Sequence, residues 1–131
     1  MLSSMIPGEI IEYLDTGKVL AKGVEDEDIM ARVALGLENS GVSYIRIAPG
    51  FRIPFGHRHK QQEEVYVLVS GSARVKIEEE VRDLKQWDAV RLHRDTLRGF
   101  EAGDDGAEFI AIGAPNTGPG DAEVIQEWWS D

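Results

Sequence analysis

The chain contains no cysteine, which excludes disulfides, thiolate metal sites and a cysteine nucleophile. Basic residues are scarce, with Lys and Arg numbering 14 against 24 Asp and Glu, for a formal net charge of −10. That imbalance argues against nucleic acid or an anionic membrane as a partner, because both are bound through basic surfaces. No apolar run approaches the roughly 20 residues needed to span a bilayer. Residues 1–8, MLSSMIPG, lack the basic region and apolar core of a signal peptide. A soluble, cytoplasmic protein is the expectation. No second segment resembles a helix-turn-helix, so a DNA-binding regulator is not expected. Histidine is sparse as well, at 3 residues in 131.

What is present is a series of short, alternating segments separated by glycine, 14 of which occur in the chain. This pattern predicts an all-β domain, and 131 residues suffice for a single core. Strands are expected over 8–15, 18–21, 30–37, 42–48, 65–70, 73–78, 81–84, 88–93, 97–100 and 107–113. The segments 30–37 and 42–48 read as a hairpin, and 103–106 (GDDG) reads as a turn. In 73–78, Ala73, Val75 and Ile77 form the buried face, while Arg74, Lys76 and Glu78 are expected to face water. The acidic run 24–28 lacks the ligand spacing of a calcium loop and reads as solvated loop. So many short strands indicate a sandwich or barrel, with a core over 30–114 and a tail over 115–131. Asp121 would cap a short C-terminal helix, or the tail is an extension. Trp128 and Trp129 in it either pack on the barrel or form a dimer contact.

The best-defined stretch is 56–71, GHRHKQQEEVYVLVSG. His57 and His59 stand two apart, which places both imidazoles on one face of a strand. If residues 60–63 form a hairpin loop, Glu64 lies opposite His59 and Tyr66 opposite His57, with Glu63 turned away. Two imidazoles and a carboxylate on one side are a divalent-metal donor set. The remaining histidine, His93, reads as a turn residue.

The chain resembles the cupin superfamily, small barrels of the double-stranded β-helix or jelly-roll type. The resemblance runs over roughly residues 40 to 114. The first cupin motif has a His-x-His, a glutamate a few residues on and a closing glycine, and His57, His59, Glu64 and Gly71 match it in register. Gly50, the opening glycine, is followed by one residue more than the motif has. The second motif departs. Its five defining positions fall on Trp87, His93, Asp95, Arg98 and Ala102, and none is the family's residue type. Arg98 stands where the family places a third metal-binding histidine. A guanidinium is always protonated and donates only, so it cannot ligate a metal.

Two readings of the pocket follow. In one, His57, His59 and Glu64 hold iron, manganese, nickel or zinc unaided, and Arg98 turns away. In the other, Arg98 pairs with Glu64, the pocket is metal-free, and Arg98 with Tyr66 receives a small, acidic ligand. The corresponding functions are a small-molecule-binding barrel with an incomplete metal site, or a metal-dependent dioxygenase or isomerase. The resemblance also implies a homodimer. The apolar outer face of Val65, Val67 and Val69 needs cover, from a second sheet or from a partner subunit.

Overall fold

The computed structural model describes residues 9–13, 18–19, 37–115, 117 and 120–131. The acidic run 24–28 and residues 30–36 of the strand expected over 30–37 lie outside these residues. Among the described residues the chain is all-β, with no helix. Nine strands follow in order: β1 (Glu9–Tyr13), β2 (Lys18–Val19), β3 (Gly41–Ile47), β4 (Gly56–His59), β5 (Glu63–Ile77), β6 (Glu80–Lys85), β7 (Ala89–Leu92), β8 (Arg98–Ala114) and β9 (Ala122–Ile125).

Two long strands organise the barrel. β5 and β8 pair antiparallel along almost their whole length, from Glu63↔Ala114 to Ile77↔Arg98. Their outer halves belong to different layers. One layer runs β2–β1–β3–β8–β5–β7, using the second half of β8 and the first half of β5. The other runs β6–β5–β8–β4–β9, using the remaining halves. The expected strands 65–70 and 73–78 are thus one strand, and so are 97–100 and 107–113. Gly71 and the 103–106 segment, which read as breaks, are bends within continuous strands. Register shifts fall between Leu68 and Ser70 and between Gly71 and Ala73. Gly71 and Gly106 both adopt positive φ, 84° and 80°, as glycine alone does freely. A Cβ on Gly71 would stand 2.0 Å from the Gly106 carbonyl oxygen. The two bends nest against each other with no room for a side chain.

Alternation fills the space between the layers. Ile45 and Ile47 of β3, Tyr66, Leu68 and Val75 of β5, Leu92 of β7, and Phe100 and Phe109 of β8 are buried. Tyr66, Phe100 and Phe109 form an aromatic cluster, with Tyr66 stacked on Phe100 at 4.6 Å.

The tail departs from expectation. Residues 122–125 form β9, paired with β4 from Gly56↔Ile125 to His59↔Ala122, so Asp121 caps no helix. The open edge of β4 offers unpaired backbone groups, and β-branched Val124 and Ile125 suit a strand that satisfies them. Of the two expectations for the tail, the extension is what forms. Beyond β9, Trp128 lies over Gly56 and Gly99, where an added Cβ would meet its ring at 2.6 and 2.7 Å. Trp129 donates from its indole N–H to the Ile53 carbonyl at 2.9 Å and stacks under the Arg52 guanidinium at 4.2 Å. Lys76, expected to face water, is instead 6% exposed. Its ammonium lies 4.2 Å from the centre of the Trp128 ring and donates to the Trp128 carbonyl at 2.5 Å. The tail covers the outer face that strand alternation left to solvent.

Candidate metal centre

His57 and His59 come from β4 and Glu64 and Tyr66 from the start of β5. The hairpin drawn from sequence does not form. β4 is hydrogen-bonded to β8 and β9, and β5 to β6, β7 and β8. The strands belong to facing layers, and the side chains meet across the barrel interior. The meeting survives because alternation, not the identity of the neighbour, decides which side chains point inward. Glu63 is exposed and Glu64 is turned in.

One ligand atom from each of His57, His59 and Glu64 lies within 4.8 Å of the others. Glu64 Oε1 is 3.3 Å from His59 Nε2 and 3.6 Å from His57 Nε2. The rings of His57 and His59 sit edge to face, 5.2 Å apart. His59 Nδ1 is 2.9 Å from Asp121 Oδ2. An ionised carboxylate only accepts, so Nδ1 carries a proton, and whenever the ring is neutral Nε2 presents a lone pair. That lone pair faces another acceptor. Both His59 Nε2 and Glu64 Oε1 are buried without a hydrogen-bond partner. Orphaned acceptors at this distance fit a cation between them, and the donor set of two imidazoles and a carboxylate suits a divalent ion.

Arg98 is fully buried. Nη1 donates to the His57 carbonyl and Nη2 to the His93 carbonyl, each at 3.3 Å. Nη2 approaches Glu64 Oε1 only to 3.8 Å. The guanidinium therefore stands behind the triad, hydrogen-bonded to backbone and ion-paired with Glu64 at 3.8 Å without a hydrogen bond to it. His93 itself is exposed, and its imidazole accepts from the Asp95 N–H of its own turn.

An apolar cavity of about 60 Å³ adjoins the triad. Ile45, Ile47, Ile53, Phe55 and Phe109 line it, and His57 and Tyr66 carry its polar side-chain atoms. Arg98 is not part of this lining.

Burial pushes the His57 imidazole below its ordinary value, outweighing the Glu64 carboxylate that favours its charged form. Burial pushes Glu64 up, but the His57 and His59 imidazoles beside its carboxylate outweigh this and hold it well below the usual carboxylate range. Asp121 is likewise raised by burial and lowered further by its bonds to His59, Gln61 and Gln62, for a net fall. All three pKa values are depressed on folding, so the unfolded chain binds protons first as pH falls. Their stabilisation is complete above the ordinary histidine value of 6.5. It should decline first as His57 is protonated in the unfolded chain, and further below about 4.5 as the carboxylates follow. Urea midpoints measured with chelator between about pH 7 and pH 4 test this, and a flat profile through the upper half of that range would exclude the His57 contribution.

Asp121 is the site residue that sequence reasoning missed. It lies 62 residues from His59, in a segment whose local signal was a helix cap.

No protein-family model and no curated protein sequence matches the chain. Solved structures do. A cupin protein from Bacteroides fragilis is 32% identical, over 62% of this chain and 70% of that one, with a TM-score of 0.58. Pac13, a nucleoside dehydratase from Streptomyces, is 13% identical, with coverages of 98% and 88% and a TM-score of 0.66. Oxalate decarboxylase of B. subtilis is 19% identical over 95% of this chain, which spans only 30% of that enzyme, with a TM-score of 0.69.

Proposed function

The chain belongs to the cupin superfamily, and from that premise we propose that it holds a divalent metal ion on His57, His59 and Glu64 and receives a small molecule in the adjoining cavity. The observation that carries this reading is the pair of buried, unpartnered acceptors, His59 Nε2 and Glu64 Oε1, facing each other at 3.3 Å. Without a cation or a second proton on His59, that contact is repulsive. In the metal-free alternative Arg98 offsets the Glu64 charge through their 3.8 Å ion pair, but its terminal nitrogens hydrogen-bond to two backbone carbonyls, so Glu64 Oε1 and His59 Nε2 still lack a hydrogen-bond partner.

An ion held by His57, His59 and Glu64 would supply a Lewis acid able to polarise a substrate oxygen. The protein's own groups do the rest. Glu64 brings the negative charge that offsets the cation, and burial keeps His57 in its neutral, ligating form. The mostly apolar walls of the cavity favour a ligand whose body is apolar. This shifts the expectation away from a ligand recognised mainly by Arg98, since Arg98 does not reach the lining. A metal-assisted reaction on the bound molecule is the second reading, supported by the enzymes among the structural neighbours.

Protein purified without chelators should contain about one ion per chain by elemental analysis. Glu64→Gln should lower metal affinity at least ~100-fold, because it removes the only anionic donor of the triad. Substoichiometric metal after incubation with iron, manganese, nickel or zinc would overturn the proposal.

A further inference from the structure

We infer that Asp121, delivered by the C-terminal tail, is a positioning residue for the metal centre: it fixes the tautomer and ring orientation of His59, so the metal-facing lone pair depends on the docked tail. The residue is 8% exposed, and its carboxylate is fully engaged. Oδ2 takes the His59 Nδ1–H at 2.9 Å, the Gln62 N–H at 3.3 Å and the Thr117 hydroxyl at 3.3 Å. Oδ1 takes the Gln61 N–H at 2.9 Å. Its backbone carbonyl accepts from Lys60 N–H at 2.9 Å, and at the next residue β9 pairs with β4 at His59↔Ala122. Asp121 is therefore fastened to the backbone of the three residues that follow the histidine it touches.

A neutral imidazole has one N–H, and either nitrogen can carry it. In isolation His59 would populate both forms. The Asp121 carboxylate accepts only, so it selects the form protonated at Nδ1 and leaves Nε2 free to ligate. It also holds the ring in the plane that aims Nε2 at Glu64, 3.3 Å away. Carboxylates placed in this way behind ligating histidines raise metal affinity by about 10- to 100-fold. The tautomer does not depend on a metal being bound. Only the affinity consequence rests on the function proposed above.

The test uses full-length, chelator-treated protein and long-range ¹H–¹⁵N NMR of the histidine side chains at about pH 8, above the ordinary histidine range. In the wild type His59 should be protonated at Nδ1. Asp121→Asn can offer its amide N–H₂ to Nδ1, so His59 should shift toward protonation at Nε2, and zinc affinity should fall about 10- to 100-fold. Asp121→Glu, which keeps the charge and the acceptor, should retain the Nδ1–H form and recover affinity relative to the asparagine variant. Thr117→Val removes one bond to Asp121 without touching His59, so it should lower Tm and leave the tautomer unchanged. If Asp121→Asn does not fold, the wild-type and Asp121→Glu spectra decide. A wild-type His59 protonated at Nε2 overturns the inference, as does a folded Asp121→Asn with unchanged tautomer. A tautomer shift in a protein that binds no metal would support the positioning role and sink the metal reading instead.

Discussion

A chain ending at Pro115 should lose on the order of 5 kcal/mol of stability, comparable to the whole stability of a marginal domain. The loss has several sources. Trp128 no longer covers the trough made by Gly56 and Gly99, and the Trp129 bond to Ile53 disappears. Lys76 loses its carbonyl acceptor and its aromatic cover. Glu101, which accepts from both Arg52 and Arg74, stays, but the Trp129 ring between those cations and solvent is removed. The β4 edge, now unpaired, exposes the backbone groups that β9 satisfies. Each half-buried indole contributes roughly 1.5–3 kcal/mol, and the hydrogen bonds about 1 kcal/mol each. Zinc binding should be lost with the tail, since Asp121 and the partner strand of both histidines leave together. Urea denaturation followed by circular dichroism measures the first effect, and calorimetric titration the second. An unchanged midpoint in the truncated chain would show that the tail is not integral to the barrel.

Replacing Arg98 by methionine should destabilise the metal-free protein by about 3 kcal/mol. The substitution keeps an unbranched, apolar stem but removes the donors to the His57 and His93 carbonyls. Each buried carbonyl left unpaired costs about 1–3 kcal/mol. The same change should strengthen metal binding. Arg98 Nη2 lies 3.8 Å from Glu64 Oε1, so an ion held by that oxygen would lie somewhat farther from the guanidinium; two unit positive charges ~4 Å apart repel by about 4 kcal/mol at an effective dielectric of ~20. Even a third of that, about 1.4 kcal/mol, is a tenfold gain in affinity. Arg98→Met should thus be less stable in chelator and show a larger Tm rise on adding zinc than the wild type. Equal affinities would mean that the guanidinium charge is not felt at the triad.

The opposite signs of these two effects describe the site. Arg98 occupies the position where the resemblance places a third histidine, and in the structure it serves the backbone around β4 more than it serves Glu64. It also favours the neutral form of His57, after burial, which is the larger influence.

Much of this was legible in the sequence. The all-β class, the barrel and the convergence of His57, His59 and Glu64 follow from alternation and spacing. Glu64 rather than Glu63 points inward although the hairpin does not form, because Glu64, Tyr66 and Leu68 share one face whichever strand lies beside them. The glycines at 71 and 106 were read as chain breaks, since local chemistry does not distinguish a turn from a bend in a continuous strand. Lys76 was assigned to water because nothing in its neighbourhood announces a tryptophan 52 residues away.

The sequence by itself determined which side chains face inward, because a two-residue period is a property of each strand alone. It therefore determined the identity of the triad. Only the tertiary structure decided which strands are neighbours, that β4 faces β5 across the interior, and that the tail closes the β4 edge. It alone placed Asp121 behind His59 and Arg98 behind Glu64. These are contacts between segments far apart in the chain. Their free energy comes from satisfying an open strand edge and buried polar groups, a demand that exists only once the barrel has closed.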